Sequence, residues 1–103
     1  MTINEVQNYC QKHDPETSKV SAVEVAYSIG PNSFLLTEEA KIPKLHLLCQ
    51  AELAKILQTD FESVQPSSKM DPKAWVEILL AGQLNDEQIF SLIDLAAEQA
   101  KTL

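Results

Sequence analysis

The chain has 103 residues, of which 45% are hydrophobic and 22% are charged, and its formal net charge is −7. This length is that of a single domain, and the apolar content is enough to pack a core without a disulfide or a metal, which excludes a disordered chain. All 8 basic residues are lysines. An acidic chain without arginine lacks the cationic surface that binds nucleic acids or anionic lipids, so we predict neither nucleic-acid nor membrane partners.

The first residues lack the cationic and apolar stretches of a signal peptide, and the longest apolar run, Ile78–Ala81, is too short to span a membrane. In such a chain the two cysteines are more typical of reduced thiols than of a disulfide. We therefore expect a soluble, cytoplasmic protein.

The first predicted element is a helix that begins at a capping box. The hydroxyl of Thr2 can accept a hydrogen bond from the amide of Glu5, whose carboxylate can reach back to the amide of Thr2. Apolar residues follow at helical spacing until Asp14-Pro15, which forces a turn. The helix should therefore end near Lys12.

The next segment, residues 17–36, is ambiguous between helix and strand. One set of apolar residues alternates as in a strand: Val23, Val25, Tyr27 and Ile29. A second set has helical spacing: Val20, Val23, Ala26 and Tyr27. A lone strand in a helical chain would have no pairing partner, so we favour a helix over Thr17–Ile29 that ends at Gly30.

Two further helices are predicted from start and stop signals. Pro43 can occupy a first helical turn, and the apolar stripe after it predicts a helix over Pro43–Gln58. Asp71 followed by Pro72 is typical of a helix start, and Gly82 is typical of a helix end.

The last predicted helix has the most regular pattern. Asn85 and Gln88 form a second capping box, flanked by Leu84 and Ile89 as a hydrophobic staple. The apolar stripe then repeats at helical spacing: Ile89, Leu92, Ile93, Ala96, Ala97 and Ala100. These signals predict a C-terminal helix hairpin over residues 72–101. The predicted fold class is all-α, a single compact bundle of about five helices in which residues 1–103 form one domain.

All cysteines and histidines fall into two pairs at spacing three: Cys10 with His13, and His46 with Cys49. On two neighbouring helices these pairs could form a tetrahedral zinc site. Both pairs also lie on apolar stripes that should face the core, and neither contains the CxxC knuckle that is typical of zinc sites. We favour core packing, keep zinc as the alternative, and predict no cofactor.

The predicted helix over residues 72–83 is apolar around most of its circumference. It is therefore either the central helix of the bundle or part of a binding surface. In the second case Trp75 and Ile78 would stay exposed as anchors, and Phe90 and Leu95 at the margins of the last helix would extend the patch. These four are the candidate partner-binding residues.

No residue pattern indicates catalysis. The sequence contains no nucleotide-binding, hydrolase or metalloprotease motif. Most acidic residues fall at predicted caps, in loops and on polar helix faces, where solvated carboxylates are usual. We therefore predict no catalytic residue and a protein that is not an enzyme.

The resulting hypothesis is a non-enzymatic protein–protein interaction module, such as an adaptor, a secretion-type chaperone or a complex subunit, that uses an apolar helical face with an acidic rim. Its partner would be another protein or a second copy in a homodimer. One alternative is an acidic immunity or inhibitor-type protein that binds a basic target, because opposite charges accelerate association. Another is a small Cys/His metal-binding protein. Enclosure of Trp75 and its neighbours, with no apolar surface left outside, would argue against the first hypothesis.

Overall fold

The computed structural model describes residues 1–103 and is an α+β protein, so the predicted all-α bundle is wrong. Six strands form one antiparallel sheet in the order β1-β2-β3-β4-β6-β5, accompanied by three helices. The strands are β1 Glu16–Lys19, β2 Glu24–Ile29, β3 Asn32–Glu38, β4 Lys44–Leu48, β5 Val64–Pro66 and β6 Trp75–Leu79. The helices are α1 Ile3–Cys10, which continues into a 3₁₀ turn over Gln11–His13, α2 Ala51–Asp60 and α3 Asp86–Thr102.

Both predicted capping boxes are confirmed. At α1 the amide of Glu5 donates to Oγ1 of Thr2 over 3.2 Å, and the amide of Thr2 donates back to the Glu5 carboxylate over 3.3 Å. At α3 the reciprocal bonds between Asn85 and Gln88 are both 2.9 Å long. None of the three helices combines the length and apolar composition that crossing a membrane requires.

The segment predicted as a helix over Thr17–Ile29 is instead the hairpin of β1 and β2. Its alternating pattern was the correct signal, because β3 supplies the pairing partner that a lone strand would lack. Gly30 does not end a helix. It has φ +60° and allows the tight turn between β2 and β3.

The predicted helix over Pro43–Gln58 divides into β4 and the shorter helix α2, and the predicted helix over residues 72–83 contains β6. The C-terminal unit 72–101 is therefore a strand followed by a helix. These strands were missed because both of their faces are buried. Residues 45–48 and 75–78 are buried without interruption, and the alternation around His46 and Glu77 is too short to distinguish a strand from a helix.

The two faces of the sheet follow from its register. On the helix face, which α3 covers, one row of paired residues crosses four strands: Tyr27, Leu35, Leu47 and Val76. A second row adds buried residues of the same face: Thr37, Leu45, Ile78 and Val64. Apart from Thr37, the residues of these rows belong to a single hydrophobic core of 23 buried residues.

The opposite face is covered by the loop between β5 and β6, residues 67–74, and we call it the loop face. Its central row contains Leu36, His46 and Glu77, all buried. Ser68 of the loop donates to Glu77 from both its amide and its hydroxyl, and Nζ of Lys69 lies 3.3 Å from Oε2 of Glu24 on β2. Because β4 and β3 separate β6 from β2, the loop extends over both of them.

The turn between β6 and α3 provides a test of this fold. A Cβ at Gly82 would clash with Cβ of Ser63 and would lie 2.7 Å from its Oγ. We expect Gly82→Ala to lower the free energy of unfolding by about 1–3 kcal/mol, as overpacking does. Urea denaturation of Gly82→Ala, Ser63→Gly and the double variant measures the coupling. Removing the Ser63 side chain should recover part of the loss, whereas additive effects of the two substitutions would contradict the predicted clash.

Candidate functional site

An apolar cleft lies between α2 and α3. The start of α2 shares a cavity with the C-terminal half of α3, and the end of α2 shares another with the start of α3, so the two helices run antiparallel. The strand residues Leu47 and Val76, neighbours on the helix face, line the first cavity. The helices therefore leave part of the sheet open between them, and we call this cleft the α2–α3 groove.

The first cavity has a volume of about 90 Å³ and is mainly apolar. Its wall consists of nine residues: Leu47, Leu48, Cys49, Gln50, Leu53, Val76, Leu92, Leu95 and Gln99. Leu95 is 55% exposed, although Leu48 and Cys49 deeper in the wall are buried. A large apolar side chain thus stands open to solvent beside a pocket that continues into the core.

The second cavity, of about 280 Å³, continues the groove through the shared residue Leu92. It is lined by Leu57, Phe61, Leu84, Asn85, Glu87, Gln88, Ser91 and Leu92. Glu87 is in this lining, and Asp60, Glu62 and Asp86 are next to lining residues in sequence; all four are exposed and none forms an ion pair. We call these four the acidic end of the groove.

The structure does not present the predicted patch as one surface. Trp75 is only 7% exposed and Ile78 is fully buried. Residues three apart share the face of a helix but point to opposite faces of a strand. On β6, Ile78 pairs with Leu45 on the helix face, whereas Trp75 pairs with Leu48 on the loop face. Neither residue can anchor a partner on the free molecule.

Phe90 packs α3 against α1. Its ring stacks on Tyr9 at a centroid distance of 4.0 Å and an interplanar angle of 6°. One turn later, Asp94 accepts a 2.6 Å hydrogen bond from the hydroxyl of Tyr9 and lies 2.7 Å from Nε2 of His13. Burial opposes ionisation of Asp94, but these hydrogen bonds and the nearby Lys12 hold its pKa below the ordinary value. Of the four predicted residues, Leu95 alone lines the groove.

The two Cys/His pairs do not converge. His13 contacts Asp94, and Cys10 is buried in the core, where desolvation and the nearby Asp94 raise its pKa to about 12. His46 belongs to the loop face, whereas Cys49 lines the groove. Residues 46–49 are not helical, so His46 and Cys49 do not share a helix face as the zinc hypothesis required. No group of three or more metal-ligating side chains is present.

His46 forms the centre of a buried polar network that the sequence pattern did not indicate. Its Nδ1 lies 2.8 Å from Oγ of Ser67, and its Nε2 lies 3.0 Å from Oε1 of Glu38. Oγ of Ser67 also accepts hydrogen bonds from the amides of Lys69 and Met70, over 3.2 and 3.0 Å. Because these amides use its lone pairs, Ser67 donates its proton to Nδ1, which assigns the ring proton to Nε2.

Ser67, His46 and Glu38 are hydrogen-bonded in the same sequence as the serine, histidine and acid of a hydrolase triad. Their burial, however, prevents a substrate from reaching the serine. His46 is fully buried and Ser67 is 5% exposed. A nucleophilic serine must approach a substrate carbonyl, whereas the oxygen of Ser67 is occupied by two backbone amides of its own loop. The network therefore holds the loop against the sheet.

Glu77 supports the same loop. Burial opposes its ionisation, but the hydroxyl and amide of Ser68, over 2.7 and 3.0 Å, and the ammonium group of Lys44 hold its pKa below the ordinary value. The loop face is thus stabilised by charge-assisted hydrogen bonds, whereas the first cavity of the α2–α3 groove is lined mainly by apolar residues.

Sequence reasoning missed most of the groove because it placed one helix across residues 43–58. Leu53 and Leu57 were part of that predicted apolar stripe, but nothing assigned them to a surface. Cys49, Leu53 and Leu57 are spaced four residues apart, and this spacing was the signal for an apolar face on a helix that begins after β4.

No protein-family model matches the chain. The chain is similar to the uncharacterized protein YjbR of Escherichia coli K12, with 27% identity over 112 residues that cover 100% of this chain and 90% of YjbR. The YjbR protein of Escherichia coli O157:H7 matches at the same 27% identity.

Two solved structures share the fold. A Pseudomonas syringae protein superposes with a TM-score of 0.84 at 20% identity, covering 97% of this chain and 99% of that protein. A Deinococcus radiodurans protein with a DUF419 domain gives a TM-score of 0.81 at 18% identity, covering 92% of this chain and 75% of that protein. Similarity at this level of identity establishes the α+β fold.

The pKa of Glu77 predicts how stability depends on pH. A carboxylate with a lowered pKa stabilises the fold above the ordinary value of about 4.3, and this contribution is lost as the pH falls through the folded-state pKa. We expect Glu77→Gln to lower the free energy of unfolding at pH 7 by about 1–3 kcal/mol, with the difference shrinking toward pH 3. Urea denaturation across this range measures it. Exposed Glu62→Gln removes the same charge as a control, and equal losses in both variants would contradict the assigned role.

The thiols provide a second test. Burial raises the pKa of both Cys10 and Cys49, so the native protein should react slowly with a disulfide reagent at pH 8, and two thiols should react after denaturation. Because Cys49 lines the groove, slow native labelling should disappear in Cys49→Ser and persist in Cys10→Ser. The reverse pattern would contradict the described positions of these residues.

Proposed function

We propose that this protein is a non-enzymatic protein–protein interaction module whose α2–α3 groove receives an apolar segment, with basic flanks, of a partner protein. The observation that carries the proposal is the exposure of Leu95 in the wall of a cavity lined mainly by apolar residues. Single exposed leucines are common on protein surfaces, but one that borders an apolar cavity is typical of binding sites.

Charge supports a basic partner over a second copy of this chain. The whole chain carries −7, and the acidic end of the groove consists of unpaired carboxylates. Two copies docked through this surface would bring like charges together, which disfavours a homodimer. The same charge opposes nucleic acids and anionic membrane surfaces as partners.

The acidic end also favours a second candidate function, that of an immunity or inhibitor-type protein that blocks a basic target. Binding would then depend mainly on Coulomb attraction and weaken steeply between low and moderate salt. Docking through the apolar groove would depend less on salt and would be sensitive to Leu95.

We place this activity in the cytoplasm. Both cysteines are free and buried, which is typical of proteins from reducing compartments. The non-enzymatic assignment rests on the closed geometry around Ser67 and His46.

Leu95→Asp tests the groove, with Val20→Asp as a matched control. Both residues are exposed, at 55% and 58%, so each substitution adds one negative charge without opening the core. We expect the wild type and Val20→Asp to capture the same partner protein from the native cell. The affinity of this partner for Leu95→Asp should be at least about tenfold lower than for the wild type, because a buried apolar anchor contributes about 1.5–3 kcal/mol.

The measurement is quantitative mass spectrometry of the captured proteins, followed by titration of the purified partner. Thermal unfolding establishes that both variants fold. Capture of the same proteins in the same amounts by Leu95→Asp would overturn the proposal, and loss of binding with salt alone would favour the inhibitor-type function.

A further inference from the structure

We infer that the occupant of the α2–α3 groove is a single amphipathic helix, with one apolar side chain in the cavity beside Cys49 and its basic end against the acidic end of the groove. This inference rests on the proposed function and specifies the conformation, chemistry and direction of the partner segment.

The lining favours a helix over an extended peptide. The floor of the groove is made of side chains from Leu47 and Val76, whose strands are already paired on both edges. An extended peptide would therefore find no free strand edge, and its own amides and carbonyls would be buried without partners. A helix satisfies these groups internally and offers only side chains to the apolar wall.

The groove also has the dimensions of a short helix. Along α3 its lining runs from Asn85 to Gln99, which at 1.5 Å per residue corresponds to about 21 Å, or about four helical turns. Three apolar residues at i, i+4 and i+7 of an occupant of this length would face the floor.

The first cavity accepts an anchor side chain. Its volume of about 90 Å³ is well below the roughly 300–1,000 Å³ of small-molecule pockets but leaves room for one aliphatic group. Cys49 lies in its wall, so an anchor in the cavity would cover the thiol.

The distribution of charge sets the direction of the occupant. Glu87 lines the second cavity, and the other three carboxylates of the acidic end belong to residues next to Phe61 and Asn85 in its lining. At the other end Glu98 accepts a hydrogen bond from Lys101 over 3.2 Å, so its charge is partly balanced. Lysines or arginines of the partner would therefore lie at the second cavity and the apolar anchor at the first.

The test uses a fluorescent peptide of about 16 residues, rich in alanine, with three leucines at i, i+4 and i+7 and four lysines at one end. Its counterpart has glutamate in place of each lysine. We expect the lysine peptide to bind the wild type, and the glutamate peptide and a lysine peptide with a central proline to bind at least about tenfold more weakly. Fluorescence anisotropy measures the dissociation constants.

A charge exchange tests the direction. Asp60→Lys/Glu62→Lys reverses two carboxylates at the end of α2, where cations are tolerated. This variant should lose most of the wild-type preference for the lysine peptide, because the two new lysines balance the charges of Asp86 and Glu87. The control Glu16→Lys/Glu39→Lys changes the net charge equally at exposed sites outside the groove and should keep the wild-type preference.

The cavity is tested by alkylation of Cys49 in a Cys10→Ser background. Saturating lysine peptide should slow the reaction at least about fivefold, and replacement of the anchor leucine by alanine should remove that protection. Equal loss of preference in both charge variants, or binding that leaves Cys49 unprotected, would overturn the inference. A native partner that still depends on Leu95 would in that case leave the proposed function standing, and loss of both results would remove both.

Discussion

The central constraint on this structure is that the middle strands of its sheet, β3, β4 and β6, are buried on both faces, by helices on one side and by a loop on the other. A loop brings few apolar side chains, so the loop face keeps polar residues in its interior. His46 and Glu77 must therefore be hydrogen-bonded, because an unpaired buried polar group costs several kcal/mol. Ser67 and Ser68 supply those bonds, and no buried side-chain polar atom lacks a partner. The loop conformation and the burial of the central strands thus depend on each other.

The sequence predicted the helices that have local start signals. It did not predict the strands whose conformation depends on pairing with residues distant in the chain. The capping boxes at Thr2 and Asn85 mark the true starts of α1 and α3 because a cap is made within four residues. By contrast, residues 45–48 and 75–79 are apolar except for His46 and Glu77, a short pattern that also fits a buried helix. The pairing of β4 with β6 joins residues far apart along the chain, so only the folded structure separates the two possibilities.

The errors in the candidate site follow directly from the errors in the strands. Trp75 with Ile78, and His46 with Cys49, were paired because residues three apart share a helix face. On β6, and across the end of β4, that spacing sends the two side chains to opposite faces, which separates both pairs. Leu95 was placed correctly at the margin of a helical stripe because α3 is a helix.

The apolar residues of α3 differ in what their burial explains. Ile89 and Ile93 are fully buried, so the stability of the fold accounts for their apolar side chains. Leu95 is more than half exposed, and a polar residue there would leave the core intact. Its apolar character therefore contributes little to folding, whereas in the groove it adds surface that only an occupant can remove from water. This difference makes Leu95 more informative about function than the enclosed Trp75, although an indole is the stronger anchor when it is accessible.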